Sequence, residues 1–182
     1  MGEPAFVRAS RPQSLEDLAD LAEIGDAMNE YCDTVDECRL DDLMEVFSVD
    51  CVFDFGAGLV LHGRDELKSY LTSRIEKYRS TTHHVSNVRI RLNDDRAGAA
   101  ASSYVYARSQ WLGTEFTSEL WGRYIDRWRR EDGVWRISSR LLLAAANERF
   151  PLPPGKDVAF EYIDRDLSRL TGGARVDIVG ST

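Results

Sequence analysis

Cysteine and histidine are both scarce in this 182-residue chain, at three residues each. Cys32, Cys38 and Cys51 make no CxxC pair and leave an odd thiol, which argues against a disulfide framework and against a zinc site. Long hydrophobic runs are missing as well. No stretch approaches the roughly 20 apolar residues of a membrane span, and the opening MGEPAFVRASRPQ has no apolar centre of a secretory leader. We therefore expect a cytoplasmic protein with reduced thiols that does not engage membranes. Basic charge is also short: 23 Lys and Arg against 31 Asp and Glu give a net charge of −8. Such a surface repels phosphate backbones, so nucleic acid is not an expected partner. There is no internal repeat and no low-complexity block.

What is present suits one globular domain, with 43% hydrophobic residues on a chain long enough to bury a core. Residues 1–13 read as a flexible arm, 14–149 as the domain and 150–182 as a C-terminal extension with a short helix near Tyr162–Leu170. Ser14 is a plausible N-cap, followed by Glu16 and Asp17 where the helix dipole favours acids. Leu15, Leu18, Leu21, Ile24, Met28, Tyr31 and Val35 recur at steps of three and four, which predicts a long amphipathic helix. A short helix is expected over Leu40–Phe47, two short strands in DCVFDFGAGLVLHG, and a third helix over Arg64–Tyr78. Four β runs then follow: His83–Asn93, Ala97–Leu112, Thr114–Arg130 and, after a turn at Arg130–Gly133, Val134–Ala145. Helices first and long strands afterwards predict an α+β fold: a cone-shaped barrel whose strongly curved mixed or antiparallel sheet wraps over the N-terminal helices. The concave side of such a sheet is where a pocket would form.

Candidate chemistry starts at the end of the first helix. At 100° per residue Asp33 falls well off the apolar stripe, Tyr31 falls within it and Asp36 lies at its edge. An Asp facing the space under the sheet needs a hydrogen-bond partner, and histidine is the partner on offer. His62 precedes a Gly turn and reads as a surface residue. His83 and His84 begin a strand, where neighbours face opposite ways. Parity groups His84 with Ser86, Val88, Ile90 and Leu92, the apolar set, and so points His84 inward; a bulge before Asn87 would reverse that. Arg140 lies mid-strand among apolar residues, which calls for an acid or a bound anion. Parity in the same strand sets Trp135, Ile137, Leu141 and Leu143 on one face, with Ser138, Arg140 and Leu142 on the other.

Taken together, EIGDAMNEYCDTVDECRLDDLMEVFSVDCVFDF, STTHHVSN and GRYIDRWRREDGVWRISSR resemble the SnoaL-like branch of the nuclear transport factor 2-like superfamily, over roughly Leu15–Arg149. The pattern is most similar to scytalone dehydratase, bile-acid dehydratase and hexachlorocyclohexane dehydrochlorinase members. The resemblance implies a cofactor-independent lyase of the dehydratase type, or an isomerase. Asp36 would orient His83 as general base; the histidine of the H-x-x-x-N pattern is His83, with Asn87 as its Asn. Tyr31 would hydrogen-bond or protonate a leaving oxygen, and Arg140 would stabilise a developing oxyanion. Phe53, Phe55, Val88, Tyr104, Trp121 and Leu142 would wall a pocket for a small hydrophobic, cyclic substrate such as a steroid, terpenoid, polyketide or aromatic. No metal is called for. The superfamily also implies other outcomes: a non-catalytic assembly subunit of a ring-hydroxylating dioxygenase, or a polyketide cyclase. A homodimer or homotrimer through the outer face of the sheet is a further expectation, with Trp111 and Trp128 as exposed aromatics.

Overall fold

The computed structural model describes residues 7–151. Three helices, α1 (Leu15–Asp36), α2 (Leu40–Glu45) and α3 (Gly63–Ile75), accompany six strands: β1 (Phe47–Asp54), β2 (Val60–His62), β3 (Tyr78–Leu92), β4 (Gly98–Trp111), β5 (Phe116–Glu131) and β6 (Val134–Pro151). The sheet runs β2-β1-β6-β5-β4-β3. Only β1 and β6 pair in parallel; every other neighbour pair is antiparallel. The two edge strands do not meet, so the α+β fold is a curved, open sheet rather than a closed barrel.

Local chemistry accounts for α1. The Ser14 side chain accepts a hydrogen bond from the Asp17 N–H, capping the first turn as its residue type predicts. At the other end Cys38 adopts φ 60, a left-handed conformation that stops the helix. The buried stripe Ile24, Met28, Tyr31 and Val35 packs on Phe47, Trp128, Trp135 and Ile137 from the sheet. Full burial of one such aliphatic or aromatic side chain contributes roughly 1.5–3 kcal/mol. Trp128, expected to be exposed, is therefore core. Among residues of the expected flexible arm, Ser10 is tied down: its N–H donates to the Ile90 carbonyl and its hydroxyl accepts from the Leu92 N–H. The helix expected near Tyr162–Leu170 lies outside the described residues.

Three of the sheet's register shifts bear on the concave face. Between Ser86 and Arg89, β3 holds one residue more than its partner segment Tyr104–Ser102. Asn87 sits there at φ 51, a conformation that Asn tolerates better than most residues. The shift reverses facing along β3. Thr81, His83 and Val85 point inward before it, Ile90 and Leu92 after it, and His84 is exposed. Simple parity, which favours His84, is corrected by this bulge. In β6 the pairs Arg127–Ser139 and Trp128–Ile137 leave Ser138 extra, so Arg140 faces inward with Ile137 instead of away from it. The third shift leaves Ala145 extra, opposite Gly122. A Cβ at Gly122 would stand 2.8 Å from the Leu143 carbonyl oxygen, so this close approach of β5 to β6 requires glycine.

Candidate active site

The end of α1 and the middle of β3 meet at one carboxylate. Asp36 Oδ1 lies 2.6 Å from His83 Nδ1, and the His83 backbone N–H donates to Asp36 Oδ2 at 2.7 Å. Both side chains are largely shielded, at 15% and 12% exposure. A carboxylate can only accept, so Nδ1 carries the hydrogen and neutral His83 presents its lone pair at Nε2, on the far side of the ring. His83 lines a cavity of about 1050 Å³ between α1, α3 and the concave face of the sheet. Volume on this scale accommodates a drug-sized molecule. A fixed tautomer with an unprotonated nitrogen in a cavity can remove a proton from bound carbon.

Tyr31 also lines the cavity, with its ring edge-on to His83 at 6.3 Å. Its hydroxyl lies 3.4 Å from that of Tyr124, another lining residue, and burial pushes both phenols above their usual range. Both therefore remain neutral hydroxyl groups at ordinary pH. Behind them the Arg140 guanidinium is stacked between the two rings, 4.2 Å from the Tyr31 centroid and 4.1 Å from that of Tyr124. Asp126, directly opposite on β5, accepts from Arg140 Nε and Nη2 at 2.8 Å each. Burial opposes that guanidinium's charge, but Asp126 outweighs it and holds Arg140 firmly cationic.

The structure thus brings Asp36, His83 and Tyr31 together at the cavity and sets Arg140 one layer behind. That corrects its expected contact with substrate: Arg140 is fully buried and absent from the cavity lining, with Nε and Nη2 held by Asp126 and Nη1 buried without a hydrogen-bond partner among the described residues. Of the expected wall residues, Phe55 and Leu142 line the cavity. Phe53 does not; it is buried behind Phe55, stacked at 3.8 Å. Val88, Tyr104 and Trp121 are corrected as well, being exposed at 41%, 39% and 54%. Val88 falls at the β3 bulge. Tyr104 and Trp121 stand on the convex face, where Arg123 covers the Tyr104 ring and Trp121 packs on Tyr106. His62 is exposed at the start of α3, as expected.

Sequence reasoning misses Tyr124 and Asp126. The signal is present in WGRYIDRW, where steps of two from buried Trp128 place Asp126 and Tyr124 on one inward face. It also misses the far end of the cavity, built from Arg74, Tyr78, Trp111 and Arg149. Trp111, expected to be exposed, is half-buried there. Among the described residues no three His, Cys, Asp or Glu side chains converge as metal ligands.

Similarity to known proteins agrees with this architecture. A SnoaL-like domain model matches residues 16–141. An uncharacterised protein of Mycobacterium tuberculosis is 28% identical over 134 residues, covering 70% of this chain and 87% of that protein. Among solved structures, a scytalone dehydratase-like protein of Novosphingobium aromaticivorans is 25% identical with a TM-score of 0.69, over 78% of this chain and 97% of that one. A hexachlorocyclohexane dehydrochlorinase superposes with a TM-score of 0.70 at 18% identity, over 78% and 99% of the two chains, which is a likeness of fold. With a curved sheet over N-terminal helices and a domain match spanning α1 to β6, the chain belongs to the SnoaL-like family of the nuclear transport factor 2-like superfamily.

Proposed function

We propose that the protein is a cofactor-independent lyase that eliminates water, or an equivalent leaving group, from a small hydrophobic ring compound. An isomerase would use the same first proton transfer. The observation that carries this reading is the Asp36–His83 dyad, whose Nε2 belongs to a residue lining the cavity. No other histidine and no carboxylate is among the described lining residues, so among these His83 is the one general base that faces a bound molecule.

The chemistry follows from that inventory. His83 Nε2 takes a proton from the carbon adjacent to the one bearing the leaving group, and Asp36 stabilises the imidazolium that forms. The C–H electron pair becomes the new double bond and the C–O bond breaks. Tyr31, held neutral by burial, donates a hydrogen bond to the departing oxygen rather than surrendering its own proton. The imidazolium then returns its proton to that oxygen, which leaves as water and restores neutral His83. With a single base on one wall, removal and delivery occur on the same face of the substrate. Arg140 acts as a positioning residue: its charge between Tyr31 and Tyr124 fixes both rings and makes their hydroxyls better donors.

The test supplies cyclic β-hydroxy ketones of one to four rings and follows the conjugated product by ultraviolet absorbance. A parallel run in deuterium oxide detects exchange of the acidic C–H, by which an isomerase would also register. His83→Gln and Asp36→Asn should each lower the rate about 10²- to 10⁴-fold while the circular dichroism spectrum stays unchanged. A His83→Gln variant as active as the parent overturns the reading.

A further inference from the structure

The cavity has a second pole. Arg74 on α3 and Arg149 near the end of β6 both stack on Trp111, 5.2 Å and 5.4 Å from its ring. Arg74 also donates to the Tyr78 hydroxyl, and Tyr78 packs edge-on against Trp111 at 4.9 Å. Burial raises the Tyr78 phenol, and the charges of both guanidinium groups pull against that rise. All four side chains line the cavity.

Two like charges gathered on one indole repel each other unless an anion joins them. Among the described residues, neither Arg74 nor Arg149 pairs with a carboxylate. The described cavity lining contains no Asp or Glu, although the whole chain carries 31 of them and a net charge of −8. By contrast Arg39, Arg96, Arg129, Arg130 and Arg136 are all matched with acids elsewhere on the molecule. Among the described residues, an acidic protein thus sets two arginines and no acid in this cavity.

We propose that Arg74 and Arg149 form a subsite for an acidic group, so that the ligand is an anionic amphiphile: an apolar ring body toward His83 and a carboxylate or sulfonate at the Trp111 end. The register gives its length. His83 pairs with Ala107 and Tyr78 with Trp111, a separation of four residues along β4 and on the order of 13 Å at a strand rise of 3.3 Å. That matches a fused-ring skeleton with the acid at one end and the reacting C–H at the other. Planar guanidinium groups suit carboxylate and sulfonate oxygens better than a lysine would. The proposal deepens the lyase reading, resting on it only for which end of the ligand lies at His83.

The test uses two fluorescent probes of one skeleton: anilinonaphthalene sulfonate and its uncharged parent, phenylnaphthylamine. Titrated into the full-length protein at low salt, the sulfonate should bind about tenfold tighter or better, the scale of one charge-assisted contact. The Arg74→Gln/Arg149→Gln variant should lose that preference and keep its affinity for phenylnaphthylamine, which shows the cavity intact. Should the double variant bind neither probe, Arg149→Gln alone, at an exposed position, decides: a several-fold loss confined to the sulfonate supports the subsite. Equal affinity of the parent protein for the two probes, or a preference retained by Arg149→Gln and the double variant alike, overturns it. His83→Ala should keep the preference for the sulfonate over phenylnaphthylamine even if both bind more weakly, so a failed lyase reading and a failed anion subsite give different results.

Discussion

Replacing Asp126 by Asn should be the most destabilising polar substitution in the sheet. Asp126 and Arg140 are cross-strand partners whose side chains are both 0% exposed, joined by two 2.8 Å hydrogen bonds. The amide keeps the shape and one acceptor but removes the charge, leaving a guanidinium uncompensated in the core. Breaking a buried pair from one side costs about 3–5 kcal/mol. The flanking Tyr31 and Tyr124 rings retain some stabilisation of the cation, on the order of 2 kcal/mol for a desolvated cation–π contact, which argues for the lower end. About 3 kcal/mol in a domain of this size corresponds to a Tm fall of roughly 6–12 °C, readable by calorimetry or by near-ultraviolet circular dichroism of the buried tyrosines. An Asp126→Leu/Arg140→Met double variant removes both charges and should recover most of the loss, because the penalty lies in the orphaned charge rather than in lost attraction. A fall of less than 3 °C for Asp126→Asn, or a double variant no better than the single, would refute the reasoning.

Asp20 gives a pH signature. Burial pushes its carboxyl up, but hydrogen bonds from Arg96 and Trp135 and the charges of Arg130 and Arg96 outweigh that and hold it below its usual value of 3.8. A depressed folded-state value means its contribution is fully present above pH 3.8 and is lost as the pH falls through the lower folded value. The Tm gap between the parent and Asp20→Asn should be constant from pH 5 to 8 and close only below about pH 4; a gap that closes near pH 6 would contradict this. Asn87→Ala should cost about 1–2 kcal/mol because the bulge demands a left-handed residue, whereas Asn87→Gly should be nearly neutral in thermal melts. Thiol chemistry should be selective. Burial pushes Cys32 up to about 12 and raises Cys51 as well, so iodoacetamide at pH 8 should label half-buried Cys38 first, with the other two reacting only after unfolding, as mass spectrometry would show.

Periodicity located the elements well because most of them bury one face. The α1 stripe from Ile24 to Val35, the turn at Asp132–Gly133 and the order of four long strands all follow from the sequence pattern, whereas Leu15 and Leu18, expected on the same stripe, are exposed. It misplaced residues wherever a strand carries one residue more than its partner. Parity put His84 inward and grouped Arg140 away from Ile137; the extra residues at Asn87 and Ser138 reverse both. A bulge has no hydrophobic period of its own, so only a residue suited to positive φ, such as Asn87, hints at it. Tyr104 and Trp121 were drawn to the pocket for a related reason. Aromatics in a strand suggest burial, but these two lie on the convex face. The arginine pole could not be read at all, since it joins α3 to the end of β6 across 75 positions.

α1 links stability to the site. Near its start Asp20 accepts from Arg96, Arg130 and Trp135, which fastens the helix to the β3–β4 connection and to both strands of the β5–β6 hairpin. At its last residue Asp36 receives two hydrogen bonds from His83. Sixteen residues separate the two acids, a rigid span of about 24 Å at 1.5 Å per residue. A carboxylate at a helix C-terminus faces the negative end of the dipole and is unfavourable there by itself. Asp36 therefore gains its position from His83 rather than from the helix, while Asp20 sets the helix height that lets them meet. The two acids should separate experimentally: Asp20→Asn lowers the Tm and leaves the His83 geometry in the surviving folded fraction, whereas Asp36→Asn spares most stability and frees the imidazole. Nitrogen-15 chemical shifts of the His83 ring read this directly, with a fixed Nδ1–H tautomer in Asp20→Asn and a tautomer mixture in Asp36→Asn. The same mixture in both variants would mean that the dyad depends on the whole helix rather than on its final carboxylate.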